Sequence, residues 1–535
     1  MASRSHRGPF ALGLILVLTL FVLTGFQASA QPTTPGRGGT IVVAIGGDPP
    51  LLNPHFSTLP WVYMSGMSIF NSLVRLDPTM KASPDLAESW SIAPDFRTYT
   101  FKLVQNAQWH DGRPFTSADV KFTFEEVLFK LNPNGPTIFS SFEGVDTPDR
   151  YTAVFRFSRP HPAALLYLDV PLTGVVLPKH LYEGTDIRRS PVNSAPVGTG
   201  PFKFVEWNRG DRIVLERNPR YFKKDLPYLD RVVFRVVRDP AARVVALQNR
   251  DVDMILGFDL PVRDSISVRQ SRELKAVFTV DRAISGQWWI GMNTSKPPFN
   301  DLRVRQAIAH AISKNFIWQR IFFGLGKIGT GPISQYLGPQ YNKNVPKYDY
   351  DPQKANQLLD EAGFRRGAGG IRFRMRFTYD GSTAEWGRIG DILKEQLAEV
   401  GIDVTLESLD FNTWFDRVYV KRDYDLSSGR RVTGPDAITA MTREYHSKAI
   451  QPAARNYYFY NNPEVDRLLD QGAQETDAAK RLQITHQLQA IIMRDLPTII
   501  LMDSPQPNAY RSTFAGLENS PWGAQRLEGV WTAAR

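Results

Sequence analysis

Residues 350–407, YDPQKANQLLDEAGFRRGAGGIRFRMRFTYDGSTAEWGRIGDILKEQLAEVGIDVTLE, switch between two periodicities, and that switching decides the fold class. Asp351 is placed to cap a helix, Pro352 suits its first position, and Ala355, Leu358, Leu359 and Ala362 share one face before Gly363 stops it. Ile371 to Thr378 then reads as a strand. A second helix is expected over Gly387 to Val400, leading into a strand over Ile402 to Glu407. Helix, strand, helix, strand is the pattern of a mixed α/β body.

The same signals recur on both sides. Thr40 to Ile45 (TIVVAI) is an unbroken β-branched run that suits a buried strand. Strands are also expected at Tyr99–Val104, Tyr151–Phe157, Arg212–Glu216 and Arg231–Val237. Behind Ser117, read as an N-cap, Val120, Phe124, Val127, Leu128 and Leu131 fall on one helical face. Behind Asp301, Val304, Ala307, Ile308, Ala311 and Ile312 do the same.

Composition narrows the function. The chain has 535 residues, 42% hydrophobic and 22% charged, which is ordinary globular usage. It has no cysteine, so disulfides, Cys-ligated zinc, iron–sulfur clusters and a thiol nucleophile are excluded. The net charge of +10 is spread rather than blocked, which describes a basic solvated surface and not a nucleic-acid patch. At the N-terminus, Arg4 and Arg7 precede an apolar run from Pro9 to Phe26, and Ala28-Ser29-Ala30 forms a small-x-small cleavage site. Residues 1–30 are therefore expected to be a cleaved secretory signal peptide. With no cysteine there to carry a lipid, the exported protein is expected to be periplasmic and not a lipoprotein.

Reaction motifs are missing. Gly324-Leu-Gly326-Lys-Ile-Gly329 matches GxGxxG, but a helix precedes it and Pro332 follows, so it is expected to be a loop needing positive φ. The eight histidines are scattered, with no pair three or four apart to suggest a metal site, and His110, in Trp109-His110-Asp111-Gly112, is assigned a structural role. No cofactor and no enzymatic activity are implied. An exported α/β protein without reaction chemistry points to binding.

Five segments carry a family resemblance: WHDGRPFTSADVKFTFEEVL (109–128), GTGPFKFVEWNRGDRIVLERNPRYF (198–222), MNTSKPPFNDLRVRQAIAHAISK (292–314), YDPQKANQLLDEAGF (350–364) and NNPEVDRLLDQG (461–472). In order and spacing the chain resembles the extracellular solute-binding proteins of ABC importers, the peptide-binding family 5 that includes dipeptide, oligopeptide and nickel binders. The resemblance implies a two-lobed periplasmic-binding-protein (Venus flytrap) fold with an extra third domain. Lobe I would comprise 39–72, 196–282 and 506–535, the extra domain 73–195, and lobe II 283–505. It further implies a monomer that closes on a peptide or other small solute and docks on an ABC permease with its ATPase. Oligosaccharides, opine-like conjugates and metal chelates remain alternative ligands, and a chemosensory or chaperone-like role an alternative use of the fold.

Site residues follow from the same resemblance. NPHFSTLPW (53–61) matches the lobe I loop that lines the cleft, which nominates Phe56, Thr58 and Trp61. Trp288 and Trp289 should face opposite sides of a strand, and Trp289, Trp386 and Trp414 are nominated as cleft aromatics. Peptide-binding relatives carry an acid for the ligand's ammonium in the loop matching SSGRRVTGPDA (427–437). Here Arg430 and Arg431 occupy the loop and Asp436 is its only acid, whereas Asp380 falls roughly where an arginine for the ligand carboxylate would stand. Both peptide hooks are thus absent or reversed, and an arginine in that loop attracts a carboxylate or phosphate. Intact-mass measurement of protein recovered from the periplasm is expected to show a chain beginning near Gln31; a retained N-terminus would defeat the signal-peptide assignment.

Overall fold

The computed structural model describes residues 35–533, apart from positions 58, 78, 133, 170–172, 258, 280–285, 433, 453, 505 and 518–525. The expected signal peptide and Thr58 lie outside these residues.

Three sheets organise the chain. The first has seven strands, in the order Leu274–Thr279, Gln506–Arg511, Met254–Ile255, Thr40–Ile45, Arg231–Val236, Arg212–Arg217 and Phe202–Asn208. Thr40–Ile45 lies at its centre and runs parallel to both its neighbours, which explains its unbroken apolar sequence. The second has six strands, in the order Lys327–Ile328, Thr498–Ser504, Gly286–Met292, Leu426–Val432, Phe373–Asp380 and Ile402–Leu409. Every residue of Gly286–Met292 is buried. The third is a four-stranded antiparallel sheet of Ala87–Ile92, Thr98–Leu103, Thr152–Phe157 and Phe142–Asp149. Against it packs the helical segment 117–131, with Phe124 edge-on to Phe155 at 4.7 Å.

Most local signals are realised. Asp301 and Asp351 cap their helices by accepting backbone N–H bonds from Arg303 and Lys354. The cap before 117–131 is Thr116 rather than Ser117: the Thr116 N–H and hydroxyl both donate to Asp119, while Ser117 bonds to the Asp149 carbonyl. The helix expected from Gly387 begins at Ala384. Gly324 and Gly326 take φ of 74° and 77° behind the helix Lys314–Ile321, so the GxGxxG match is a turn. His110 donates from Nε2 to the Gly200 carbonyl at 3.0 Å and accepts at Nδ1 from the Gly198 N–H at 3.2 Å. Burial lowers its pKa to about 4, which keeps it the neutral staple between two distant segments.

A buried ion cluster joins the four-stranded body to the seven-stranded one. The Asp85 carboxylate pairs with Arg75 at 3.1 Å and Lys223 at 2.6 Å, and accepts from Asn71 at 3.0 Å. Arg75 also pairs with Glu528, and Arg526 with Asp169. Three acids thus balance three bases, drawn from three parts of the chain. Burial opposes ionisation of Asp85, but Arg75, Lys223 and Arg526 overcome it and hold its carboxyl well below the usual range. Its folded pKa lies under its unfolded one, so this stabilisation is complete above about pH 4 and is lost as the pH falls further. Asp85→Asn leaves buried cations uncompensated and is expected to cost about 3–5 kcal/mol in urea unfolding. The variant should also show a shallower loss of stability on acidification below pH 4.

Candidate functional site

Topology locates the site before any side chain does. In the six-stranded sheet Phe373–Asp380, Ile402–Leu409 and Leu426–Val432 are parallel and end on one edge. Helices start just beyond it at Ala384, Phe411 and Ala437. In the seven-stranded sheet Thr40–Ile45, Arg231–Val236 and Met254–Ile255 likewise share a carboxyl edge. The chain passes between the sheets twice, from Thr279 to Gly286 and from Ser504 to Gln506. Gly286 and Ser504 pair with each other and Gly286 with Val432, at the carboxyl edge of the six-stranded sheet. Thr279 pairs with Gln506 beyond the carboxyl end of Met254–Ile255. Both short crossings therefore join carboxyl edge to carboxyl edge, and the two edges face each other. Open α/β sheets bind ligands at such edges.

On the seven-stranded side Trp61 occupies this edge. Its indole N–H donates to the Asp259 carboxylate at 3.0 and 3.2 Å, and its ring lies so close to Gly47 that a Cβ there would strike it. Burial raises the Asp259 pKa, opposed by Arg243, whose guanidinium donates to the Asp259, Val237 and Arg238 carbonyls. Phe56 is half-buried against the same core, with the Arg188 guanidinium 6.0 Å from its ring.

On the six-stranded side Arg430 stands directly across from Trp288, its guanidinium 5.0 Å from the ring centroid. Arg430 is exposed, yet desolvation by the surrounding protein lowers its pKa, opposed by the nearby Glu385 and Asp380 carboxylates. Tyr63, on the helix Pro60–Ile69 of the facing body, lies near enough to enter the electrostatic surroundings of Arg430. Asp380 ends its strand and accepts from the Ser382 N–H at 3.0 Å and the Thr383 hydroxyl at 3.3 Å. Arg431 pairs through its backbone with Gln287.

The structure brings Asp380 and Arg430 together at one edge and places Trp61 at the other. Trp289, Trp386, Trp414 and Asp436 are instead engaged in packing. Trp288 and Trp289 do face opposite sides, and both are buried: Trp288 packs on Trp386 at 5.1 Å, while the Trp289 indole donates to the Tyr457 hydroxyl. Trp414 is buried and donates to the Ser427 hydroxyl. Asp436 is fully buried, caps the helix Ala437–Tyr445 through the Thr439 N–H, and takes both arms of Arg481 at 2.7 and 3.0 Å. Burial raises its pKa, but Arg481 outweighs that and holds it below the usual range. Tyr63, Asp259 and Glu385 were not nominated. Asp259 had one faint signal, an acid just past a short apolar strand.

The four-stranded body also touches this side. Arg443 donates to the Asn134 side chain at 2.7 Å, and a cavity of about 80 Å³ between the two is lined by Ser141, Arg159, His161, Thr439 and Arg481. Asp436→Ala removes a cap and a buried ion-pair partner together, and is expected to cost about 3–5 kcal/mol of unfolding free energy by denaturant titration. An unchanged midpoint would show that Asp436 is not needed for folding.

Comparison with known proteins accords with this arrangement. Residues 81–451 match the family described as Bacterial extracellular solute-binding proteins, family 5 Middle. A Brucella ovis protein named for ABC transporter peptide binding is 32% identical over 484 residues, 87% of each chain. The Bacillus subtilis oligopeptide-binding protein AppA, solved with a nonapeptide, superposes with a TM-score of 0.79 at 26% identity, covering 94% of this chain and 100% of that one. AgaA from A. tumefaciens R10, solved with agropinic acid, gives 0.78 at 28% identity, covering 93% and 99%. The two facing sheets with their added four-stranded body are the two-lobed architecture of these proteins, and the chain belongs to the family 5 extracellular solute-binding proteins.

Proposed function

We propose that this chain is the periplasmic receptor of an ABC importer, capturing a peptide or peptide-like solute between its lobes and delivering it to a membrane permease driven by an ATPase. The observation that carries the proposal is the apposition of two carboxyl edges, one with Trp61 and Asp259 and the other with Asp380 and Arg430. The division into lobe I (39–72, 196–282, 506–535), extra domain (73–195) and lobe II (283–505) is supported by the sheets, since each draws its strands from one of these sets. Among the described residues no helix is long and apolar enough to cross a membrane. Export through a cleaved segment 1–30, without a lipid anchor, completes the proposal, as does a monomer holding one solute and performing no chemical step on it.

Ligand contact is assigned to Phe56, Thr58 and Trp61 from lobe I and to Asp380, Arg430 and Arg431 from lobe II. Trp289, Trp386, Trp414 and Asp436 are assigned supporting positions behind that layer, because each is already buried against a partner. A non-peptide solute is the second reading, favoured by the commitment of Asp436 to Arg481 rather than to an ammonium group.

The ligand touches both lobes only when they close, so it stabilises the closed population. A thermal-shift panel on ligand-stripped protein, holding di-, tri- and longer peptides, oligosaccharides, opine-like conjugates and nickel chelates, is expected to give a clear hit. A ligand at a thousand times its Kd adds about 4 kcal/mol. Small-angle scattering with the hit should show compaction; an unchanged profile at saturation would argue against hinge closure.

A further inference from the structure

Residues 73–195 touch both lobes, but the two contacts differ in kind. Toward lobe I, Phe122, Val127 and Leu177 share one apolar core with Ile41 and Phe234, and the buried cluster around Asp85 fixes the same junction. Toward lobe II there is no shared core: among the described residues, neither core of that lobe takes a side chain from 73–195. Parting a shared core exposes apolar surface, whereas parting a polar contact exchanges it for water. The extra domain therefore travels with lobe I and is free to separate from lobe II.

The contact with lobe II is small and polar. Arg443, half-buried on the helix Ala437–Tyr445, donates to the Asn134 side-chain oxygen at 2.7 Å. The Tyr167 hydroxyl lies 3.6 Å from where a Cβ on Gly434 would stand. The same interface holds the cavity of about 80 Å³, bordered by Ser141, Thr439 and His161. The His161 Nε2 is buried there and has no hydrogen-bond partner among the described residues. Water answers such an atom once the surfaces part, which suits an interface that opens.

Each side of this contact is tied to the cleft. Asn134 stands in a turn where its own N–H and that of Gly135 donate to the Asn132 side-chain oxygen at 2.8 and 3.1 Å. The Asn132 amide in turn donates at 2.9 Å to the carbonyl of His55, in the lobe I loop 53–61. Across the gap, Asp436 ends the loop 427–437 and caps the helix that carries Arg443. The movement that brings the two loops together over a solute thus also brings Asn134 to Arg443. Resting on the receptor role above, we propose that the extra domain is a clasp: Asn134 and Tyr167 meet Arg443 and Gly434 only in the closed form, and so set how long a solute is held without touching it. A bond made only in the closed state raises the affinity for every solute by the same factor.

The chain has no cysteine, so the full mature protein carrying Asn134→Cys and Arg443→Cys can be joined at that one place with a short bis-maleimide. After stripping of carried-over solute, the joined protein is expected to scatter as a compact particle and the unjoined one as an expanded particle. Identical profiles, or a pair that cannot be joined, would overturn the clasp. Two single variants test it without a cross-link: Asn134→Asp turns the bond into an ion pair, and Asn134→Lys into a repulsion. Loss of co-purified solute during timed dialysis, followed by mass spectrometry, should be about tenfold slower in the first and about tenfold faster in the second. Equal rates in both variants and the wild type would also overturn the proposal. A protein that carries no solute and binds none from the panel removes the receptor reading, while the scattering comparison still decides whether the extra domain and lobe II part.

Discussion

Two chain crossings, Thr279 to Gly286 and Ser504 to Gln506, constrain everything else in this molecule. Because both leave and enter at carboxyl edges, whatever projects from those edges faces across the gap. The packing of Gly286–Met292 makes the constraint firm. Its Trp288 side belongs to one core of lobe II and its Trp289 side to another, so the strand cannot shift without disturbing both. Gly429 shows how tightly it is held, since a Cβ there would run into the Trp289 ring.

The extra domain is fastened in two ways. Phe122, Val127, Val175, Leu177 and Tyr182 pack into the lobe I core, and beside them a buried ionic cluster sets Asp85, Asp169 and Arg75 against Lys223, Arg526 and Glu528. Such a cluster is a weak source of net stability compared with apolar packing, because desolvation cancels much of the Coulomb attraction. It does specify one arrangement, since any sliding would strand a charge. Lobe I and the extra domain are thereby joined to one another, and the Arg443–Asn134 bond links the extra domain to lobe II.

Local signals in the sequence announced the elements well. The Asp351 cap, the Gly363 stop and the alternating runs are governed by neighbours three or four residues away, and they stand within a few residues of where they were expected. The misplaced cap at Ser117 came from two adjacent hydroxyl residues, of which only Thr116 has the extended backbone a cap requires. The site was less legible. Trp386 and Trp414 lie on segments next to the cleft, but nothing in a one-dimensional pattern tells whether an indole turns outward or into the core behind it. Asp259 and Glu385 acquire their settings from Trp61 and Arg430, residues 198 and 45 positions away, and no local spacing encodes that.

The polarity of the cleft follows from where the acids are used. Asp436 is the only acid of the loop 427–437, and folding consumes it: the Thr439 N–H and hydroxyl and both arms of Arg481 occupy its carboxylate. An ammonium group arriving there would have to displace a bidentate guanidinium from a buried site, which leaves Arg481 unpaired at a cost far above the gain from one new hydrogen bond. Asp436 is therefore not open to an ammonium group, and the Asp259 carboxylate across the gap is likewise engaged, by the Trp61 indole. The Arg430 guanidinium, exposed near the end of the strand Leu426–Val432, puts a positive charge at this edge, which suits an anionic group of the proposed solute better than an ammonium.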